Sequence, residues 1–144
     1  MEPSSLGLVL DSSVLISAER RGHTVAQVLE QIRAAFGDIK TAVSVVSIAE
    51  LEHGAYRAQS AERQIPRLKF IEYLIHGVSV HPVTVEIARL AGRLDAEQRT
   101  IGIQVGFADL LIGATALYLR FQVVTLNERD FRNMPGLSVV PLHR

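Results

Sequence analysis

The chain has 144 residues, of which 48% are hydrophobic, enough to build one domain with its own core and no external staple. Fifteen Lys and Arg balance fifteen Asp and Glu, which excludes a strong overall field toward nucleic acid or a membrane surface and makes any polyanion site a local one. The lack of cysteine excludes disulfides, thiol catalysis and thiolate-held zinc.

From the N-terminus, MEPSSLGLVLD has no basic region, and its apolar run is cut by Asp11, which argues against a secretory signal. Leu8, Val9 and Leu10 read as a strand buried on both faces, ending at Asp11. Ser12 or Ser13 is positioned to cap the helix continued by Val14, Leu15, Ile16 and Ala18. Asp11 then falls at the carboxyl edge of a sheet, where open α/β folds bind ligands, although a plain loop or cap role also fits it. After a break at Arg20–Arg21–Gly22–His23, Thr24 opens a helix through Phe36, with Val25, Val28, Leu29, Ile32, Ala35 and Phe36 on one face and Gly37 closing it.

Thr41 to Val46 reads as a second strand leading into Ser47–Ile48–Ala49–Glu50, a capping-box pattern in which Ser47 caps and Glu50 reaches back. Glu50 has a sufficient structural role there, yet it also lies at the sheet's carboxyl edge. Ser60 to His76 is predicted helical, broken or kinked at Pro66, with Ile65, Leu68, Ile71, Tyr73, Leu74 and Ile75 mostly in the core. Val78 to Val83 reads as a short strand, at the sheet edge because of Pro82. Thr84 caps a helix to about Ile101, buried along Ile87, Leu90, Ala91 and Leu94.

Past the loop from Gly102 to Gly106, Phe107 to Leu117 forms a helix apolar on nearly all sides, as a centrally packed helix must be. Asp109 stands in its first turn, where the helix dipole favours a carboxylate and a cap role is possible. A carboxylate beside a buried helix is nevertheless costly without a neutralising partner. The stretch from Leu110 to Leu119 is too short to span a bilayer. Val123 to Thr125 reads as a strand, Asn127 to Asn133 as a turn or short helix, and Leu137 to Val140 as a last strand. The whole predicts a soluble, cytoplasmic α/β domain over residues 1–144 with no membrane partner.

Asp11, Glu50 and Asp109 each fall where a strand yields to a helix or a helix begins. Three acids at one sheet edge repel, and a divalent cation resolves the repulsion: Mg²⁺ takes one or two carboxylates and keeps waters for phosphate oxygens. That arrangement serves nucleases and phosphoryl-transfer enzymes. The successive blocks LDSSVLI (10–16), SIAELEHG (47–54), ADLLIGATA (108–116) and TLNERDF (125–131) resemble those of a PIN domain. Their order and spacing are most similar to the VapC-type toxin ribonucleases of toxin–antitoxin pairs, over nearly the whole chain.

The resemblance implies a Rossmann-like three-layer α/β/α fold with a central, mainly parallel sheet, and a homodimer. It implies Mg²⁺, with Mn²⁺ as a substitute, held principally by Asp11 and Asp109, with Glu50 completing the acidic site. It implies endoribonuclease activity on an RNA substrate, and a cognate VapB-type antitoxin whose tail occupies a groove near the site. The apolar faces of Val25 to Phe36 and Leu68 to Ile75 are expected to bound that groove. Ser12 stands where the family often has Thr, and Asn127 where many members have an aspartate. Asp130 is then either a fourth catalytic acid or the capping partner of Asn127.

Arg20, Arg21 and Arg57 are candidates for RNA backbone contacts, with a solvated-surface role preferred for each. A phosphoacceptor receiver is disfavoured because the only lysines are Lys40 and Lys69. A dinucleotide-binding module is disfavoured because no G-x-G-x-x-G follows the first strand. The remaining alternative is a catalytically inactive PIN-like module that binds RNA or protein.

Overall fold

A computed structural model describes residues 5–142; residues 1–4, part of the stretch that argues against a secretory signal, lie outside the described residues. Five short strands form one sheet in the order β3-β2-β1-β4-β5: β1 (Leu8–Leu10), β2 (Thr41–Ser44), β3 (Ser79–His81), β4 (Gln122–Thr125) and β5 (Val139–Pro141). Every pairing in it is parallel. Successive strand residues face opposite sides, so Leu8, Leu10, Val43 and Val124 enter one core while Val9 and Val123 enter the other. Helices α1 (Ser12–Arg20), α2 (Val25–Phe36), α3 (Val45–Tyr56) and α4 (Ala61–Gly77) supply the first core. Helices α5 (Val85–Thr100) and α6 (Phe107–Leu119) supply the second. The result is the three-layer α/β/α architecture with a parallel sheet that the sequence predicts.

Several local expectations shift. The cap position of α1 is Asp11, not Ser12 or Ser13, and its side chain makes no capping bond. Helix α3 starts at Val45 because Ser44 caps it, accepting from the Val46 amide at 3.1 Å; Ser47 is therefore inside the helix and the Ser47–Glu50 capping box does not form. The β-branched pair Val45–Val46 prolongs the apparent strand in sequence, whereas the Ser44 hydroxyl ends it. Pro66 sits inside α4 without interrupting it. In α4 the buried residues are Phe70, Ile71 and Leu74, while Ile65, Tyr73 and Ile75, expected in the core, are exposed. The Pro82 reading holds, since β3 is a sheet edge.

One glycine has a packing reason. A Cβ on Gly113 would overlap Met134 Sδ and lie 3.0 Å from Met134 Cε, and Met134 is buried at 2% exposure. Helix α6 thus accepts Met134 directly against its backbone, and Gln98 of α5 donates to the Asn133 carbonyl beside it. These contacts seat the segment that follows Asp130. Gly113→Ala must displace the buried Met134 thioether, a cost of about 1–3 kcal/mol offset by about 1 kcal/mol of helix propensity, so the urea midpoint should fall modestly at unchanged slope.

Candidate active site

Strands β1 and β4 are neighbours, and the chain leaves them in opposite lateral directions, to β2 and β3 on one side and to β5 on the other. Such a reversal opens a crevice at the carboxyl ends of the strands. Asp11 immediately follows β1 and Thr125 ends β4; the Asp11 amide donates to the Val124 carbonyl at 2.9 Å. Asp11 is only 4% exposed, a burial a carboxylate tolerates when its oxygens are hydrogen-bonded. Two hydroxyls meet that need at a single oxygen: Ser13 Oγ donates to Asp11 Oδ2 at 2.7 Å and Thr125 Oγ1 at 2.8 Å. The Asn127 amide in turn donates to Thr125 Oγ1 at 2.9 Å, and the Leu126 amide to Ser13 Oγ at 3.1 Å. Among the described residues no hydrogen bond reaches Asp11 Oδ1.

Glu50 is held from α1. Ser12 Oγ donates to Glu50 Oε1 at 2.6 Å and shares a hydrogen bond with Ser47 Oγ at 2.8 Å. The serine that the sequence suggests as a cap is buried and serves a bridge between α1 and α3.

Asp109 lies in the first turn of α6, whose cap position is Gly106 without a side-chain bond. Asp130 ends a 3₁₀ turn, Glu128–Asp130, in which Asn127 makes no side-chain capping bond. The turn is closed by the backbone, the Asp130 amide donating to the Asn127 carbonyl at 3.2 Å, so the capping reading of the Asn127–Asp130 pair is not what forms. All four acids, Asp11, Glu50, Asp109 and Asp130, line one open cavity of about 610 Å³, together with Ser12, Ser13, Asn127 and the two arginines Arg20 and Arg21. Arg57 is not among its lining residues.

The charge density is felt most at Asp109. Burial pushes its pKa up from 3.8 to about 7, and Asp11, Asp130 and Glu50 add to the rise by repulsion. In the metal-free protein the folded state keeps this proton up to about pH 7, whereas the unfolded carboxyl releases it near its ordinary value. Folding is therefore progressively opposed as pH rises between those values. Metal-free protein should lose melting temperature from pH 4 to pH 7, and Asp109→Asn should flatten that part of the curve and raise the neutral-pH midpoint. Solvent screening at this half-buried group limits the effect to roughly 1–2 kcal/mol.

The donor set consists of hard carboxylate oxygens, the class that suits Mg²⁺ or Mn²⁺ rather than a soft metal. Among the described residues no three acidic or imidazole groups stand together as a ready-made metal cage. Two carboxylates with water in the remaining positions is the mode Mg²⁺ prefers, and the free Asp11 Oδ1 and the strained charge of Asp109 fit that mode.

The groove expected between α2 and α4 is present as a second, largely apolar cavity of about 620 Å³, lined by Val25, Ala26, Leu29, Phe70 and Tyr73 among others.

Sequence reasoning gives Ser13 and Ser47 capping roles only and misses their bonds to Asp11 and Ser12. Thr125 stood only as a strand terminus, and its role needs the pairing of Leu10 with Val124, which no local pattern encodes.

A PIN-domain family model matches residues 8–137. A ribonuclease VapC of Rickettsia bellii is 31% identical over 143 residues, covering 95% of this chain and 98% of the relative. The structure of DNA-bound VapBC from Salmonella typhimurium superposes with a TM-score of 0.80 at 23% identity, over 96% of this chain and 99% of that one. VapBC-5 of Mycobacterium tuberculosis, a member of the VapBC family of toxin–antitoxin systems, gives a TM-score of 0.73 at 28% identity, over 96% and 99%. The α/β/α fold with a central parallel sheet is consistent with PIN-domain architecture. The chain belongs to the PIN-domain family and, within it, to the VapC-type ribonuclease toxins.

Proposed function

We propose that this chain is the toxin of a type II toxin–antitoxin pair and a Mg²⁺-dependent endoribonuclease that hydrolyses RNA phosphodiester bonds in the cytoplasm. The observation that carries the reading is the convergence of Asp11, Glu50, Asp109 and Asp130 on one open cavity. Asp11 and Asp109 would hold the ion. When bound, such an ion polarises a phosphate oxygen and lowers the pKa of an attacking water. Thr125 and Ser13 fix the Asp11 carboxylate through Oδ2, leaving Oδ1 without a hydrogen bond among the described residues, and Ser12 fixes Glu50 in the cavity lining. Asp130 adds negative charge to the cavity lining, and Asn127 supplies an amide where an aspartate is common in the family.

The apolar groove between α2 and α4 is suited to an amphipathic helix laid along it, which supports a VapB-type antitoxin as the partner. VapBC-5 of Mycobacterium tuberculosis is, by name, a member of a family of toxin–antitoxin systems. A homodimer is part of the same proposal and rests on the family likeness.

The test is incubation of purified protein with a mixed RNA substrate in EDTA, then with Mg²⁺ or Mn²⁺ restored, followed by sizing of the products. Discrete fragments that need the metal are expected. Intact RNA under both metals, from folded protein, would instead favour the non-catalytic PIN-like module.

A further inference from the structure

Four carboxylates in one cavity repel the polyanion they are meant to cut, and the net charge of zero provides no long-range compensation. The ion proposed above offsets part of that charge inside the site, and the cavity lining supplies two further cations, Arg20 and Arg21. Both are exposed. Among the described residues neither enters an ion pair; the pairs present are Arg67 with Glu19, His76 with Glu72 and Arg99 with Asp95. Arg67 also donates to the Gly54 carbonyl, so the partly buried Glu19 beside Arg20 is already engaged by a different arginine.

Their placement follows from helix α1. Ser13, Ile16, Ser17 and Arg20 all line the cavity, and their spacing of three, four and seven residues puts them on one helix face. Along that face the acids sit at the N-terminal end and the arginines at the C-terminal end, about 10 Å away by helical rise. The cavity is thus a trough with opposite charge at its two ends. A phosphate at the acid end has its neighbours in the strand carried toward the arginines. Guanidinium groups match phosphate oxygens in bidentate fashion, which lysine does not.

We propose that Arg20 and Arg21 bind backbone phosphates flanking the scissile one and thereby set how the RNA strand lies along α1. The proposal rests on the ribonuclease reading above and adds to it which side chains hold the substrate. Charge contacts of this kind are expected to act on binding rather than on the chemical step.

Two measurements test it. In cleavage with Mg²⁺, Arg20→Ala and Arg21→Ala should each raise KM about five- to tenfold with kcat changed less than twofold. In direct binding, a fluorescent single-stranded RNA is titrated with the Asp109→Asn protein in EDTA at several salt concentrations. Each alanine should lower the slope of log affinity against log salt by about 0.7, the value for one phosphate contact on a single strand. Arg20→Lys should restore most of the slope, and Arg93→Ala, which removes an exposed charge from α5, should leave it unchanged. If Asp109→Asn protein binds RNA and the double alanine variant shows the same KM and slope, the assignment of the arginines is overturned while the ribonuclease reading stands. If wild-type protein neither cuts nor binds RNA, the ribonuclease reading fails and the assignment falls with it.

Discussion

Asp11→Asn and Asp109→Asn are each expected to reduce metal-dependent RNA cleavage by about a thousandfold or more, the scale seen when a group that stabilises transition-state charge is removed. The two substitutions differ in their effect on the fold. Asp109→Asn relieves a carboxyl that burial and three neighbouring acids already disfavour in its charged form, so its metal-free melting temperature at pH 7 should rise. Asp11→Asn keeps an oxygen for the Ser13 and Thr125 hydroxyls, so its stability should stay near that of the wild type. A loss of cleavage with the melt preserved in both variants is the expected pattern, read by product sizing beside circular-dichroism melts. Wild-type cleavage rates in either variant would remove that acid from the site.

Thr125→Val should damage both activity and stability, for one reason. Thr125 is completely buried, and its hydroxyl donates to Asp11 while accepting from the Asn127 amide. Valine has nearly the same shape and no hydroxyl, so a buried carboxylate loses a donor and a backbone amide loses an acceptor. The stability cost is about 1–3 kcal/mol. Groups that orient a metal ligand typically matter by about 10–100-fold in metal affinity or activity, and cleavage should fall by that factor. Thr125→Ser, which keeps the hydroxyl, should recover most of the activity and less of the stability. If valine lowers the melt but leaves cleavage intact at low temperature, Thr125 serves the core alone.

Much of this site was legible from residues in a row, because its parts lie at junctions that local chemistry marks. An apolar run stopped by Asp11 marks the end of β1, and an apolar helix with Asp109 in its first turn marks α6. The misplacements have a common cause. The start of α3 depends on whether Val45 and Val46 extend a strand or open a helix, and the decision is made by the Ser44 hydroxyl, one residue among several that look able to cap. Once the start moves three residues, Ser47 turns inward and meets Ser12, a contact across 35 positions. The exposed Ile65, Tyr73 and Ile75 of α4 look like core in the chain because apolar residues there occur on more than one face, and only packing against α2, α3 and β3 selects Phe70, Ile71 and Leu74. Arg20 and Arg21 look like surface charge in the chain, and their place on the cavity wall emerges only when α1 is laid beside Asp130 and Asn127.

The two hydrophobic cores on either side of the sheet divide the acids between them. Asp11 ends β1 at the cap of α1 and Glu50 hangs from α3, helices that pack mainly on the first core, while Asp109 belongs to α6 and Asp130 to the turn whose following segment, through Phe131 and Met134, is buried in the second. The gap between the two pairs is consequently set by how the layers seat on the sheet, as the jaws of a caliper are set by its beam. A cavity opened deep in one core, by a change that touches no acid, would shift one pair bodily relative to the other and detune the site without altering a single group in it.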